Sequence, residues 1–175
     1  MTEASPGPAA PDPAAVPDEA RPEGYLRVSQ ALATAGHPHM PVWLEVAART
    51  SQEAADALGV ALGQIAKSVV FRRRADDAAV LVIASGDRRV DEHRLAALVG
   101  AVGRADAAYV KARTGFAIGG VSPVGLADTA TLLLDAQLQR FDLIWAAAGH
   151  PNGVFRLSPA ALQRLTGADW AEVAA

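Results

Sequence analysis

Cysteine is absent from this 175-residue chain. Its absence excludes disulfides, thiolate metal sites and a cysteine nucleophile. Aromatic residues make up only 5% of the chain, so alanine, valine and leucine must fill most of any core. No apolar run approaches the ~20 residues that span a bilayer. The N-terminus has no apolar core of the signal-peptide kind, so a cytoplasmic protein with no membrane partner is expected. The net charge is −3. A global basic field is therefore missing, and any contact with nucleic acid has to rest on a local patch. Neither a GxxxxGK(S/T) loop, a GxGxxG turn nor a GxSxG elbow occurs. Lysine is scarce as well, with two lysines against fourteen arginines.

The chain that remains divides unevenly. Residues 1–22 are nearly all Pro, Ala, Gly, Asp and Glu, which bury too little apolar surface to offset the entropy of ordering. They read as a disordered tail, and residues 23–175 as one folded domain. Tyr25, Leu26, Val28, Leu32 and Ala35 fit one face of a helix ending at Gly36. Val42, Leu44 and Val46 alternate as in a strand. Thr50 and Glu53 form a capping-box signature for a helix closed by Gly59. A short helical turn over 62–66 leads into a strand. Ser68–Arg74 and Ala79–Ala84 read as a hairpin around Ala75-Asp76-Asp77. Asp91 caps a helix carrying Leu95, Leu98 and Val99, and another helix covers 107–113. Strands follow at 131–134, 143–148 and 154–157, with a short helix at 136–140. Ser158 and Pro159 start the last helix. Short strands interspersed with helices give a mixed α/β (α+β) domain.

Four groups of residues carry chemical interest. Lys67 stands where an apolar strand begins, in a chain that otherwise supplies positive charge as arginine. A compact ammonium with three rotatable donors fits sites that a planar guanidinium cannot. The plainer reading is a lysine that reaches from a strand end to water. Gly119 and Gly120, followed by Ser122 and Pro123, form flexible backbone before a rigid residue. Such a loop can turn N–H groups toward an oxyanion, a phosphate or a carbonyl, or be an ordinary turn. His150, before Pro151, projects from a turn, either to orient water or a carbonyl or simply into solvent. Arg72, Arg73, Arg74, Arg88 and Arg89 form a candidate nucleic-acid face, or else a solvated hairpin. His37 and His39 have a His-x-His spacing but no further ligand at a telling distance, so no metal is expected. Ser68 and Ser122 have no base beside them, so neither reads as a nucleophile.

Together these residues resemble the YbaK / prolyl-tRNA synthetase associated domain family. It comprises free-standing aminoacyl-tRNA deacylases and the editing insertion of bacterial prolyl-tRNA synthetases. The resemblance runs from about Thr50 to Trp170. It is carried by 51–60, by Gln64-Ile65-Ala66-Lys67-Ser68-Val69-Val70-Phe71, by 114–125, and by Ala147-Ala148-Gly149-His150-Pro151. It implies a curved, largely antiparallel mixed sheet surrounded by helices, and no cofactor. It implies hydrolysis, in trans, of the ester joining a wrong amino acid to a tRNA 3′ end. Small residues on tRNA-Pro are favoured: alanine first, then cysteine or serine. Lys67 corresponds to the family's key polar residue, Gly119 to Pro123 to its Gly-x-x-x-Pro loop, and Gly149-His150-Pro151 to the turn of the editing insertions. Lys67, Gly119 and Gly120 are thus implied as catalytic, and Ser68, Ser122, Pro123 and His150 as substrate-binding. The aminoacylated tRNA 3′ end is the implied partner, with prolyl-tRNA synthetase as a further one. The rival reading is a catalytically silent module that uses the same fold to hold an aminoacyl end, a nucleotide or a synthetase surface.

Overall fold

Strand alternation and helix capping account for most of the architecture. A computed structural model describes residues 20–128 and 131–175. The expected tail falls largely on residues 1–19, which lie outside the described residues. The first helix, α1, spans Glu23–Thr34 and buries Tyr25, Val28 and Leu32, one stripe at helical spacing. The two-residue strand β1 (Val42–Trp43) follows. The strand expected through Val46 ends here: Val46 is 75% exposed, and the chain leaves the sheet at Leu44.

Helix α2 (Ser51–Leu58) starts where the capping signature predicts. Thr50 Oγ1 accepts the Glu53 N–H, and Gly59 closes the helix in the left-handed region. A 3-10 turn, Leu62–Gln64, leads into β2 (Ile65–Arg73), which pairs antiparallel with β3 (Ala79–Ser85). Its tip is tied on itself. Arg73 pairs with Asp76 at 2.8 Å and Arg72 with Asp77, while the Tyr109 hydroxyl donates to the Asp77 carbonyl at 2.7 Å.

Asp91 caps α3 (Glu92–Val99) by accepting the His93 and Arg94 N–H groups. The chain continues through β4 (Val102–Arg104), α4 (Ala107–Thr114), β5 (Thr131–Asp135) and a 3-10 turn, Ala136–Arg140. Strands β6 (Ile144–Ala147) and β7 (Gly153–Leu157), helix α5 (Pro159–Thr166) and strand β8 (Asp169–Ala171) complete it. The eight strands of the described residues join one mixed sheet in the order β1-β7-β6-β2-β3-β5-β8, with β4 also paired to β2.

Every residue of β3 is buried. Leu81 and Ile83 face a core shared with α1 and α5, whereas Val80, Val82 and Ala84 face a second core with Leu95 of α3. A strand covered on both sides reads as an unbroken apolar run, as this one does. No described helix is long and apolar enough to cross a membrane. Leu81 has no solvent exposure. Leu81→Ala is expected to lower unfolding stability by about 2–5 kcal/mol in urea titrations, since it leaves a cavity in the central strand.

Candidate active site

A cavity of about 310 Å³ opens where the first residues of β2 meet the loop before α2, the glycine-rich loop and the β6–β7 turn. Lys67, Ser68 and Gly119 line it together. Ala48, Ala54, Ile65, Val121, Trp145 and Val154 supply apolar walls. Arg49, Thr50 and Ser51 add polar groups, and among the described lining residues there is no histidine or carboxylate. Two polar atoms of lining residues, Ser68 Oγ and Trp145 Nε1, are buried without a hydrogen-bond partner among the described residues. Buried polar atoms of this kind mark places where a water or a bound polar group is accommodated.

Lys67 Nζ donates to the Arg88 carbonyl at 2.6 Å. One donor of the ammonium is thereby fixed and two remain. Burial lowers the lysine's pKa. Asp135 and Asp87 partly oppose that shift, and Arg89 adds to it. The turn that carries Arg88 is itself braced. Arg140 grips Asp87 through both terminal guanidinium nitrogens, at 3.1 and 2.7 Å, and donates to Ser85 Oγ at 2.9 Å. Ser85 Oγ in turn donates to the Gly63 carbonyl at 2.6 Å. Arg140 holds the Asp87 carboxyl below its usual range. The buried Asp135 accepts the Ser85 and Gln137 N–H groups at 3.0 and 2.9 Å. The lysine's carbonyl partner is therefore fixed by a charge-assisted, bidentate pair.

The glycine loop and the Gly149-His150-Pro151 turn form one wall by main-chain contact. A Cβ on Gly120 would lie 2.7 Å from the His150 nitrogen, and a Cβ on Gly149 would collide with the Gly24 carbonyl of α1. Gly149 also has φ +83, which disfavours any side chain there. The Gly120 N–H is engaged with the Ala117 carbonyl at 3.0 Å. Gly119, with φ +92, is the member of the pair that faces the cavity.

The remaining expected residues stand elsewhere. Ser122 is fully buried and its Oγ accepts the Val124 N–H at 3.2 Å. Pro123 borders a separate groove beside α1 and α5. His150 stacks on Trp43 at 4.9 Å, and its Nδ1 accepts the Asn152 N–H at 3.1 Å. It braces the turn whose Pro151 and Gly153 reach the cavity. His37 Nε2 donates to the Arg156 carbonyl at 2.9 Å, and His39 accepts from Arg156 Nε at 3.3 Å. Of the five arginines, Arg72, Arg73 and Arg74 border one groove and Arg89 lines another. Arg72 and Arg73 are paired at the hairpin tip, Arg88 lies 4.0 Å from Asp87, and Arg74 donates to the Val102 carbonyl. Arg49, Trp145 and the apolar wall were not legible as site residues, because only the fold brings them to Lys67.

The sequence profile of the aminoacyl-tRNA editing domain matches residues 45–165. The chain belongs to the aminoacyl-tRNA editing domain family. It is accordingly a hydrolase of the aminoacyl-tRNA ester bond. It is 35% identical over 123 residues to the uncharacterized protein YwhH of Bacillus subtilis (strain 168), covering 70% of this chain and 78% of that one. It is 29% identical over 126 residues to EbsC of Enterococcus faecalis (strain ATCC 700802 / V583), a candidate Cys-tRNA(Pro)/Cys-tRNA(Cys) deacylase. That match covers 71% of this chain and 76% of EbsC. A solved structure of a candidate trans-editing enzyme for prolyl-tRNA synthetase superposes with a TM-score of 0.82 at 39% identity, covering 89% of this chain and 99% of that one. The hypothetical protein APE2540 superposes at 0.80 with 29% identity, covering 85% and 99%.

Burial and the nearby Arg49 lower the pKa of His150 below the ordinary histidine value. Its neutral form is the one that accepts from Asn152. The stability this residue contributes is complete above the unfolded value of about 6.5 and is lost as pH falls through the folded one. Chemical denaturation at roughly pH 7 and roughly pH 5.5 is expected to show a larger acid loss for wild type than for His150→Gln.

Proposed function

We propose that this editing domain acts in trans on tRNA-Pro and removes a small amino acid, alanine first and cysteine or serine next. The observation that carries this reading is the cavity at Lys67: modest in volume, apolar in its walls, cationic at its mouth and free of carboxylates among its described lining residues. The names of the Enterococcus relative and of the trans-editing structure support the tRNA-Pro assignment.

An aminoacyl ester is already activated, so positioning and charge stabilisation suffice for hydrolysis. The two free donors of Lys67 hold the terminal phosphate or the substrate carbonyl. The Gly119 amide faces the oxygen on which charge develops, and Gly120 shapes the loop. Ser68 Oγ and Trp145 Nε1 offer their unpartnered hydrogen-bonding atoms to the aminoacyl group. Water attacks the ester carbonyl, and the tetrahedral intermediate collapses to the free amino acid and the tRNA 3′-terminal hydroxyl. Ser122, Pro123 and His150 act on this site through the loops they brace. The arginines beside β2 meet the RNA.

A deacylation time course on tRNA-Pro charged separately with alanine, cysteine, serine and proline tests the reading. Wild type is expected to release one mischarged residue and spare proline. Lys67→Ala is expected to lose that release, and Lys67→Arg not to restore it, because the forked guanidinium does not fit the Arg88 carbonyl and the substrate together. Wild-type-like release by Lys67→Ala would overturn the role of the lysine. No release above the spontaneous rate by the wild type would favour a binding module. The working form of Lys67 is the cation and burial lowers its pKa. Enzyme-dependent kcat/KM is therefore expected to fall with rising pH, beginning below the ordinary lysine value of about 10.4.

A further inference from the structure

The sheet has a notch in its middle. On the edge of β2 that faces away from β3, β6 reaches only Ile65 and Ala66, and β4 begins only at Phe71. Among the described residues, no strand pairs with 67–70 on that edge. The Gly86 N–H donates to the Ile65 carbonyl at 2.7 Å and the Arg73 N–H to the Ala78 carbonyl at 2.8 Å. These bonds turn the main chain of odd-numbered residues toward β3. By alternation, the main-chain groups of Ser68 and Val70 point toward the notch. Open edge groups inside a sheet are a standing site for pairing.

A groove of about 370 Å³ opens at this notch, lined by Lys67, Val70, Arg89, Glu92, Arg104 and Ala105 among others. It shares Lys67 with the first cavity. It shares Arg104 with a third groove that Arg72, Arg73 and Arg74 border. Arg72, Arg73, Arg88, Arg94 and Arg140 all lie within ion-pair distance of aspartates. Arg89 and Arg104 are exposed and have no ion pair among the described residues. Three cations and one carboxylate, Glu92, thus line a trench that starts at the candidate catalytic lysine. From Lys67 to Arg73, β2 extends about 20 Å at ~3.3 Å per residue.

We propose that this notch is a second binding site, which takes the phosphodiester backbone of the single-stranded RNA end leading to the scissile ester. Arg89 and Arg104 are its phosphate-binding groups, and the main chain of Ser68 and Val70 is its floor. The inference deepens the deacylase reading and rests on it for the identity of the RNA. The terminal nucleotide sits at Lys67 and the upstream phosphates pass Arg89 and Arg104 toward Arg74. The two arginines have no ion pair among the described residues, so their guanidinium groups are available to phosphate, with Glu92 the one carboxylate lining the same groove. Arginine's fork also grips a phosphate oxygen pair in a way lysine does not.

The test compares wild type with the R89Q/R104Q double variant in two assays. Binding of deacylated tRNA-Pro is measured across a salt series. The double variant is expected to bind about tenfold more weakly, and its slope of log K against log salt is expected to shrink by about 1.4, roughly 0.7 for each lost single-strand phosphate contact. E92Q is expected to bind more tightly. R164Q, which removes an exposed arginine on α5, is expected to change nothing. Turnover is then measured on aminoacyl-tRNA and on the same amino acid esterified to adenosine, which lacks upstream phosphates. The double variant is expected to lose kcat/KM on the tRNA alone. Unchanged affinity and salt slope, or equal losses on both substrates, would overturn the notch. If the wild type deacylates while the double variant binds and turns over normally, the notch fails and the deacylase reading stands. Arginine-dependent binding without any release of amino acid would sustain the notch and overturn the deacylase reading.

Discussion

The register of β2 against β3 is the constraint from which the site hangs. Lys67 lies opposite Ala84, and the pairing runs without a break from Ala66 to Arg72. A slip of one residue would move Lys67 to the opposite face and put Ser68 in its place. Two features fix the register. The first is β3, buried on both faces and so unable to slide without exposing one apolar set or the other. The second is the tip, where Arg72 and Arg73 meet Asp77 and Asp76 and Tyr109 holds the Asp77 carbonyl. The hairpin's ion pairs are exposed, and each contributes little alone. Their role here is geometric, as they close the turn at a single length.

The lysine depends on a second layer of support that is nowhere near it in sequence. Its carbonyl partner belongs to a turn that Arg140 holds through Asp87, and the strand end below that turn is held by the buried carboxylate of Asp135. This arrangement explains how an ammonium can sit half-buried beside an apolar cavity. The fixed dipole of one carbonyl and two nearby carboxylates replace part of the water it gives up. The two remaining donors have no hydrogen bond among the described residues.

Local chemistry made much of the fold legible. Thr50, Asp91 and Ser158 each declare a helix start by the hydrogen bond that a cap must accept, and all three accept it. The β2–β3 hairpin is readable because an apolar run of this length bounded by Asp76-Asp77 has few alternatives. What escaped the sequence is structure made by distant partners. Strands β4 and β8 are three residues each and exist because β2 and β5 offer them edges. The alternation at Val42, Leu44 and Val46 suggested a longer strand, but β7 supplies pairing only for the first two residues. Leu98 fits the apolar face of α3 by spacing, yet is 57% exposed, because the second core is small and filled by Leu95. In the site, Lys67, Ser68 and Gly119 were legible as unusual residues in unusual places. Arg104 and Trp145 were not, because their relevance comes only from which strand ends beside β2.

The contact of the glycine loop with the Gly149–Pro151 turn has a consequence for how far the cavity can deform. Side-chain walls adjust, since a leucine or methionine can swing to another rotamer for an oversized guest. On this side of the cavity the packing is main chain against main chain, Gly120 on His150 and Gly149 on Gly24, with Gly119 close to the rigid ring of Pro151. Behind the side chains of Ile118 and Val121, this wall has no rotamers to give. Its position is set as a fixed gauge is, and it can shift only by parting α1 from the turn that Gly149 belongs to.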